Sequence, residues 1–239
     1  MKTPGILYVL PLCAGLLTGC DNRQEVQQFE AARTAALKAD DPFRALETFE
    51  QQSGDYGRGC DSMTAFWFGT FDSTDKACKA RYKARQDMVL KAVEKGSVPA
   101  LVFLFDPYSK TPGVYPRDIG AEKAGQAAER LVALAESAPV DRNNQALLMR
   151  AGDVLQAGKY VLQDSRRAAA LYVKAWQAGD QGAAGELVKV YRFLKDSRRT
   201  YFWEVRSKDV QQLDSRDQLT GDEISNIQRL AADSSRTNL

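Results

Sequence analysis

Apolar positions along this chain recur every third or fourth residue, the spacing of one face of a helix. Val26, Phe29, Ala32, Ala36 and Leu37 predict helix within residues 21–52. Asp40-Asp41-Pro42 interrupts that run. Asp41 suits an N-cap and Pro42 the first helical position, and Phe43, Leu46 and Phe49 resume the pattern, so two short helices joined at Pro42 are expected. Residues 76–97 return to helix, and Pro99 to Phe105 is apolar enough to begin another short one. Asp106 to Gly120 holds three prolines and two glycines and reads as an exposed loop. Ala121 to Ser137 is amphipathic, with Ala128, Leu131, Val132 and Ala135 on one face, and Pro139 ends it. From Ser207 the chain turns polar, with a last helix at Asp222–Leu230 and a frayed tail over Asp233–Leu239.

Residues 53–75 break the regularity. Gly54, Gly57, Gly59 and Gly69 surround Phe66-Trp67-Phe68-Gly69-Thr70-Phe71, the densest aromatic patch. It reads first as a local core covering a helix pair, since exposed rings would promote aggregation. Its alternative is an anchor for a partner.

Composition bears mainly on where the protein works. Lys2 precedes Ile6–Leu17, a 12-residue stretch without charge that is too short to span a bilayer, so residues 1–19 read as a secretory signal. Leu17-Thr18-Gly19-Cys20 resembles the lipobox of bacterial lipoproteins. That resemblance implies cleavage before Cys20 and its acylation with palmitate-like chains, several of which together hold firmly to a membrane. Asp21 resembles the signal that keeps such proteins at the periplasmic face of the inner membrane. The remaining 220 residues carry 32 basic and 31 acidic side chains. With no net basic field and no polybasic tract, neither nucleic acid nor anionic lipid is expected as a partner.

Cys60 and Cys78 remain after Cys13 and Cys20 are accounted for, an even pair in an oxidising compartment. A bridge between them would contribute about 3 kcal/mol on the chain-entropy model; two buried free thiols are the alternative. Two cysteines and no histidine are too few for a zinc site, so no metal or other cofactor is expected. The absence of histidine also removes histidine-based triads. Carboxylate-pair hydrolysis, for example of peptidoglycan, needs no histidine, but no acidic spacing singles out a pair. The chain is therefore not expected to be an enzyme, nor to take a small-molecule substrate.

Two internal echoes set the architecture. Lys91–Ala100 and Lys174–Ala183 both fit K-A-x-x-x-G-x-x-x-A, 83 residues apart. Asp164-Ser165-Arg166-Arg167 recurs 32 residues later as Asp196-Ser197-Arg198-Arg199, with several loop residues lost ahead of the second copy. Over Ala146–Asp180, the positions Ala151-Gly152, Gly158, Val161, Asp164, Ala168, Leu171-Tyr172, Lys174-Ala175 and Gly179-Asp180 resemble the Sel-one-like repeat, a relative of the tetratricopeptide repeat. The resemblance extends well to Trp203 and weakly back to Gln86. It implies an all-α chain forming a short solenoid of antiparallel helix pairs over 86–206. A helical, disulfide-containing cap over 20–85 and a polar helix and tail over 207–239 would close its ends.

Each repeated position also has a physical task. Ala151, Ala168 and Ala175 admit close helix approach; Gly158 and Gly179 suit left-handed helix ends; Asp164 and Asp180 suit helix starts. Leu171, Tyr172 and Trp176 fill the space between helix layers.

Arg166, Arg167, Arg198 and Arg199 fall at matching places on adjacent repeats, either as solvated helix starts or as a basic stripe for an acidic partner. Tyr201-Phe202-Trp203 is more apolar than one helix face needs, which makes Tyr201 a further candidate contact. The combination resembles periplasmic immunity lipoproteins that neutralise lipase effectors of type VI secretion. That resemblance implies a toxic protein as partner, occluded by the repeat surface. An envelope adaptor for cell-wall or secretion machinery is the alternative.

Overall fold

The computed structural model describes residues 18–58, 72–107, 114–207, 215–233 and 235–239. Among these every regular element is helical. The aromatic patch at 66–71, residues 1–17 of the leader, and Cys60 lie outside the described residues, as do the side chains of Cys20 and Asp21. No helix among the described residues is long and apolar enough to cross a membrane. The chain forms two compact units, 1–91 and 92–239.

The first unit holds α1 (Thr18–Lys38), α2 (Pro42–Gln52) and most of α3 (Asp72–Glu94). The break at Pro42 is built as its residues require: the amides of Phe43 and Arg44 donate to the Asp41 carboxylate at 3.0 and 3.2 Å. Phe29, Ala32 and Ala36 of α1, Phe49 of α2, and Ala84 and Met88 of α3 form one core. Arg81 of α3 is fully buried beside it. Its Nε donates to the Tyr56 carbonyl at 2.9 Å, Nη2 to the Gly54 carbonyl at 3.0 Å, and Nη1 to Glu50 at 2.9 Å. Burial lowers the Arg81 pKa and Glu50 works against that shift. Gly57 closes the same turn at φ 70°, where an added Cβ would lie 2.5 Å from the Ala77 carbonyl oxygen.

The second unit continues with α4 (Val98–Leu104), α5 (Ala121–Ser137), α6 (Gln145–Ala157), α7 (Ser165–Gln177), α8 (Ala183–Phe193), α9 (Ser197–Ser207) and α10 (Gly221–Ala232). Each of these packs on the next in chain order, and α4 also reaches α6. Connections as short as 158–164 and 194–196 force neighbours to run antiparallel. The predicted face of α5 is the buried one: Ala128, Leu131 and Ala135 are fully covered and Val132 nearly so. Gly158 ends α6 at φ 63° and Gly179 follows α7 at φ 100°, both left-handed as expected. Asp164 caps α7 by accepting from the amides of Arg166 and Arg167. In the shortened copy Lys195 takes the left-handed position itself, at φ 56°.

Gly152 has a separate role, in packing. An added Cβ would lie 2.6–2.9 Å from ring atoms of Tyr172, which is buried. Gly152→Ala should therefore lower stability by about 1–3 kcal/mol through overpacking, measured as a fall in the thermal midpoint. An unchanged midpoint would show that the Tyr172 ring shifts freely.

The last helix departs from simple alternation. Glu223, early in α10, lies 3.8 Å from Arg198 at the start of α9. Gln228 meets Tyr201 at 2.8 Å, and Asp233, just past α10, accepts from Arg206 near the end of α9. These contacts make α10 run parallel to α9.

Candidate functional site

The four repeated arginines stand on the exposed first turns of α7 and α9, one helix pair apart. Their surroundings differ. Arg166 is exposed and makes no ion pair among the described residues. Arg167 donates from Nε to Glu136 of α5 at 2.8 Å, and that bond raises its pKa. Arg198 lies at the margin of an ion pair with Glu223. Arg199 donates to the Asp196 carboxylate at 2.7 Å and stacks over the Tyr191 ring. The matching register of the two Asp-Ser-Arg-Arg segments is thus realised, while three of the four guanidiniums are answered by local carboxylates.

Tyr201, expected as a contact, sits instead in the core. It is 1% exposed, and its hydroxyl accepts from Gln228 at 2.8 Å. Phe202 and Trp203 are buried as well, so none of the three rings reaches the surface. The reason lies in α10: running beside α9, it covers the face that the sequence left unaccounted for.

A polar cluster lies where sequence reasoning had placed no function. Arg150 of α6 donates to Asp153 at 2.5 Å and lies 3.6 Å from Asp106. The Tyr172 hydroxyl donates to Asp153 at 2.9 Å. Burial raises the Asp153 pKa, against the lowering effects of Tyr172 and Arg150, and Glu186 of α8 adds to the rise. Burial likewise pushes the Tyr172 phenol well above its ordinary value. The sequence signal for this cluster is slight: Arg150 and Asp153 stand three apart on a helix whose other positions are mostly apolar.

The sign of the resulting pH dependence follows from the raised value. A carboxyl that holds its proton more tightly when folded favours the folded state fully below its unfolded pKa, and loses that contribution as pH rises through the folded one. Asp153→Asn keeps an acceptor for Tyr172 but cannot titrate. Relative to this variant, the parent should gain stability as pH is lowered across the carboxylate range, followed by urea unfolding at several pH values. A gap between the two that does not vary with pH would contradict the assignment.

Exposed apolar side chains form a second feature absent from the sequence reading. Leu162 is 92% exposed and Phe193 59%, with Leu194 beside it at 36%. Leu162 lies two residues ahead of Asp164, and Leu194 two ahead of Asp196, so they are equivalent positions of the two connections. The 32-residue echo already contained this match.

Among the described residues, no group of three or more His, Cys, Asp or Glu side chains is placed to hold a metal ion. Comparison with protein-family models, with curated proteins and with solved structures finds no match to this chain.

Proposed function

We propose that this chain is a membrane-anchored periplasmic lipoprotein that binds another protein through the surface of a short α-solenoid spanning α4–α9. Its most specific form is an immunity protein that covers the active site of a secreted antibacterial lipase. The observation that carries the binding reading is the serial packing of α4 to α9, each on the next, with equivalent Asp-capped turns at Asp164 and Asp196. Such an array offers one extended surface built from successive elements and is suited to recognition. The lipobox-like Leu17-Thr18-Gly19-Cys20 supports acylation at Cys20, and Asp21 supports retention at the inner membrane. In the same reading Cys60 and Cys78 are bridged and hold the N-terminal helices as a cap. Of the three paired arginines Arg198 is the contact residue of choice, because its ion pair, 3.8 Å from Glu223, is looser than those of Arg167 and Arg199 at 2.8 and 2.7 Å.

The test is recovery of the acylated protein from native envelopes under mild extraction, with mass spectrometry of what comes with it. A lipase-like protein, inhibited on addition of the purified chain, is the expected result. Recovery of cell-wall or secretion components instead would make the chain an envelope adaptor. Recovery of no protein partner would remove the binding reading.

A further inference from the structure

Because α4 to α9 alternate in direction, residues 105–107 and 114–120, 158–164 and 194–196 all lie at one end of the second unit. The ring of Phe105 meets that of Tyr160 edge to face at 5.9 Å, which brings the first two connections together. At this end stand the exposed Leu162, Phe193 and Leu194. Around them are cations that the sequence scatters but the fold gathers: Lys159, Arg166 and Lys195, all exposed, with Arg192 close by but held by Glu204 at 3.1 Å. Arg166 and Lys195 have no ion-pair partner among the described residues, and Lys159 stands 5.2 Å over the Tyr160 ring. The acids of these connections are engaged within the chain: Asp106 lies 3.6 Å from Arg150, Asp118 accepts from the Tyr115 amide, Asp164 accepts from two amides of α7, and Asp196 from the Arg199 amide and side chain. The basic surface ends toward α10, where Glu223 faces Arg198 and Asp222 is exposed.

We propose that this end of the second unit docks on an anionic phospholipid surface. Leu162 and Phe193 enter the interfacial layer, and Lys159, Arg166 and Lys195 meet headgroup phosphates. Charge complementarity selects the lipid: apolar side chains beside the exposed cations Lys159, Arg166 and Lys195 are what an anionic interface accepts. Protrusion favours lipid over a protein partner. Leu162 touches almost nothing of its own chain, and Leu162 and Phe193 project from two separate turns, whereas protein partners take their anchors into packed, desolvated pockets. The absence of a polybasic tract argued against such a surface from sequence alone, because the cations come from two turns some 30 residues apart. The inference stands on this geometry and not on acylation of Cys20; it adds an orientation to a chain that would otherwise swing on its tether.

The test places an environment-sensitive fluorophore at Leu162→Cys, and in a second sample at Gln181→Cys, an exposed position in the α7–α8 connection at the opposite end. The full acylated protein is reconstituted in vesicles carrying a lipid-phase nitroxide quencher, either phosphatidylethanolamine with phosphatidylglycerol or phosphatidylcholine alone. On anionic vesicles, quenching at position 162 should exceed that at 181 at least threefold. Arg166→Glu with Lys195→Glu should bring it back to the level at 181. Equal quenching at the two positions, or equal quenching on phosphatidylcholine, would overturn the proposal. If acylation itself fails, the unacylated chain should still sediment with anionic vesicles at low salt and be released at high salt. No sedimentation there would overturn the proposal too, and burial of position 162 only on adding a soluble protein would assign this end to a protein partner.

Discussion

Arg81→Met is expected to destabilise the first unit by about 3–5 kcal/mol, the usual cost of removing one partner from a buried, hydrogen-bonded charge cluster. The guanidinium is enclosed completely and satisfies three acceptors at once: the carbonyls of Gly54 and Tyr56 and the Glu50 carboxylate. It also stacks between the rings of Phe29 and Phe49, at 5.8 and 5.6 Å from their centroids. Methionine fills much of the volume but donates nothing. Two carbonyls would then lose their donors, each at a cost of about 1–3 kcal/mol if water cannot reach them. Glu50 would keep Arg85, which holds it at 2.6 Å, so the loss falls mainly on the turn after α2. Arg81→Lys should recover little, because one ammonium cannot reach three separated acceptors in the planar fork that arginine provides. With two compact units, a global midpoint does not assign the loss to the first of them. Hydrogen exchange at the amides of α2 and of the residues before Lys91 in α3 is the measurement, and the second unit should be unaffected. Protection of α2 equal to that of the parent chain would show that Arg81 fastens nothing.

The contrast between Arg81 and the elements read correctly from sequence shows what a single chain can disclose. Local chemistry was legible wherever one short segment decides the outcome. Asp41-Pro42 starts a helix whatever surrounds it, Gly158 ends one because few other residues tolerate its φ, and Asp164 caps α7 within three residues of itself. Serial packing from α4 to α9 was legible too, since repetition at 32 residues is a statement about contacts. Arg81 was not: within Lys79-Ala80-Arg81-Tyr82-Lys83 it reads as one more surface cation. Its burial depends on a turn more than twenty residues earlier. Tyr201 failed for the same reason in the opposite sense. Its exposure depended on the direction of α10, and the sequence between Ser207 and α10 carries no periodic signal from which that direction could be read. The polar cluster at Asp153 needs Asp106 from the connection after α4 together with α6, α7 and α8. No pair of neighbouring residues predicts it.

Trp203→Ala carries the other large effect, about 3–5 kcal/mol from the second unit. Trp203 is 1% exposed and meets Trp176 edge to face at 5.5 Å and Phe202 at 5.2 Å. It therefore joins α7 to α9 across the intervening α8. The Arg206 guanidinium lies against the same cluster, 4.4 Å from the Phe202 centroid and 5.3 Å from that of Trp203. Unlike Arg81, Arg206 is incompletely satisfied: one nitrogen donates to the Asp233 carbonyl, while Nε and Nη1 find no hydrogen-bond partner among the described residues. Burial lowers its pKa, which the Asp233 charge opposes. Arg206→Met should accordingly cost much less than Arg81→Met, since it exchanges a poorly paired charge for apolar volume among aromatic rings. Trp203→Ala, by contrast, opens a cavity that neither α7 nor α10 can close without giving up its own contacts. Far-ultraviolet circular dichroism during urea unfolding measures both variants against the parent. A Trp203→Ala shift no larger than that of Arg206→Met would mean that the aromatic cluster does not hold α9 in the array. The surface carried by α8 and α9, including the exposed Phe193 and Leu194, would then lack a rigid support.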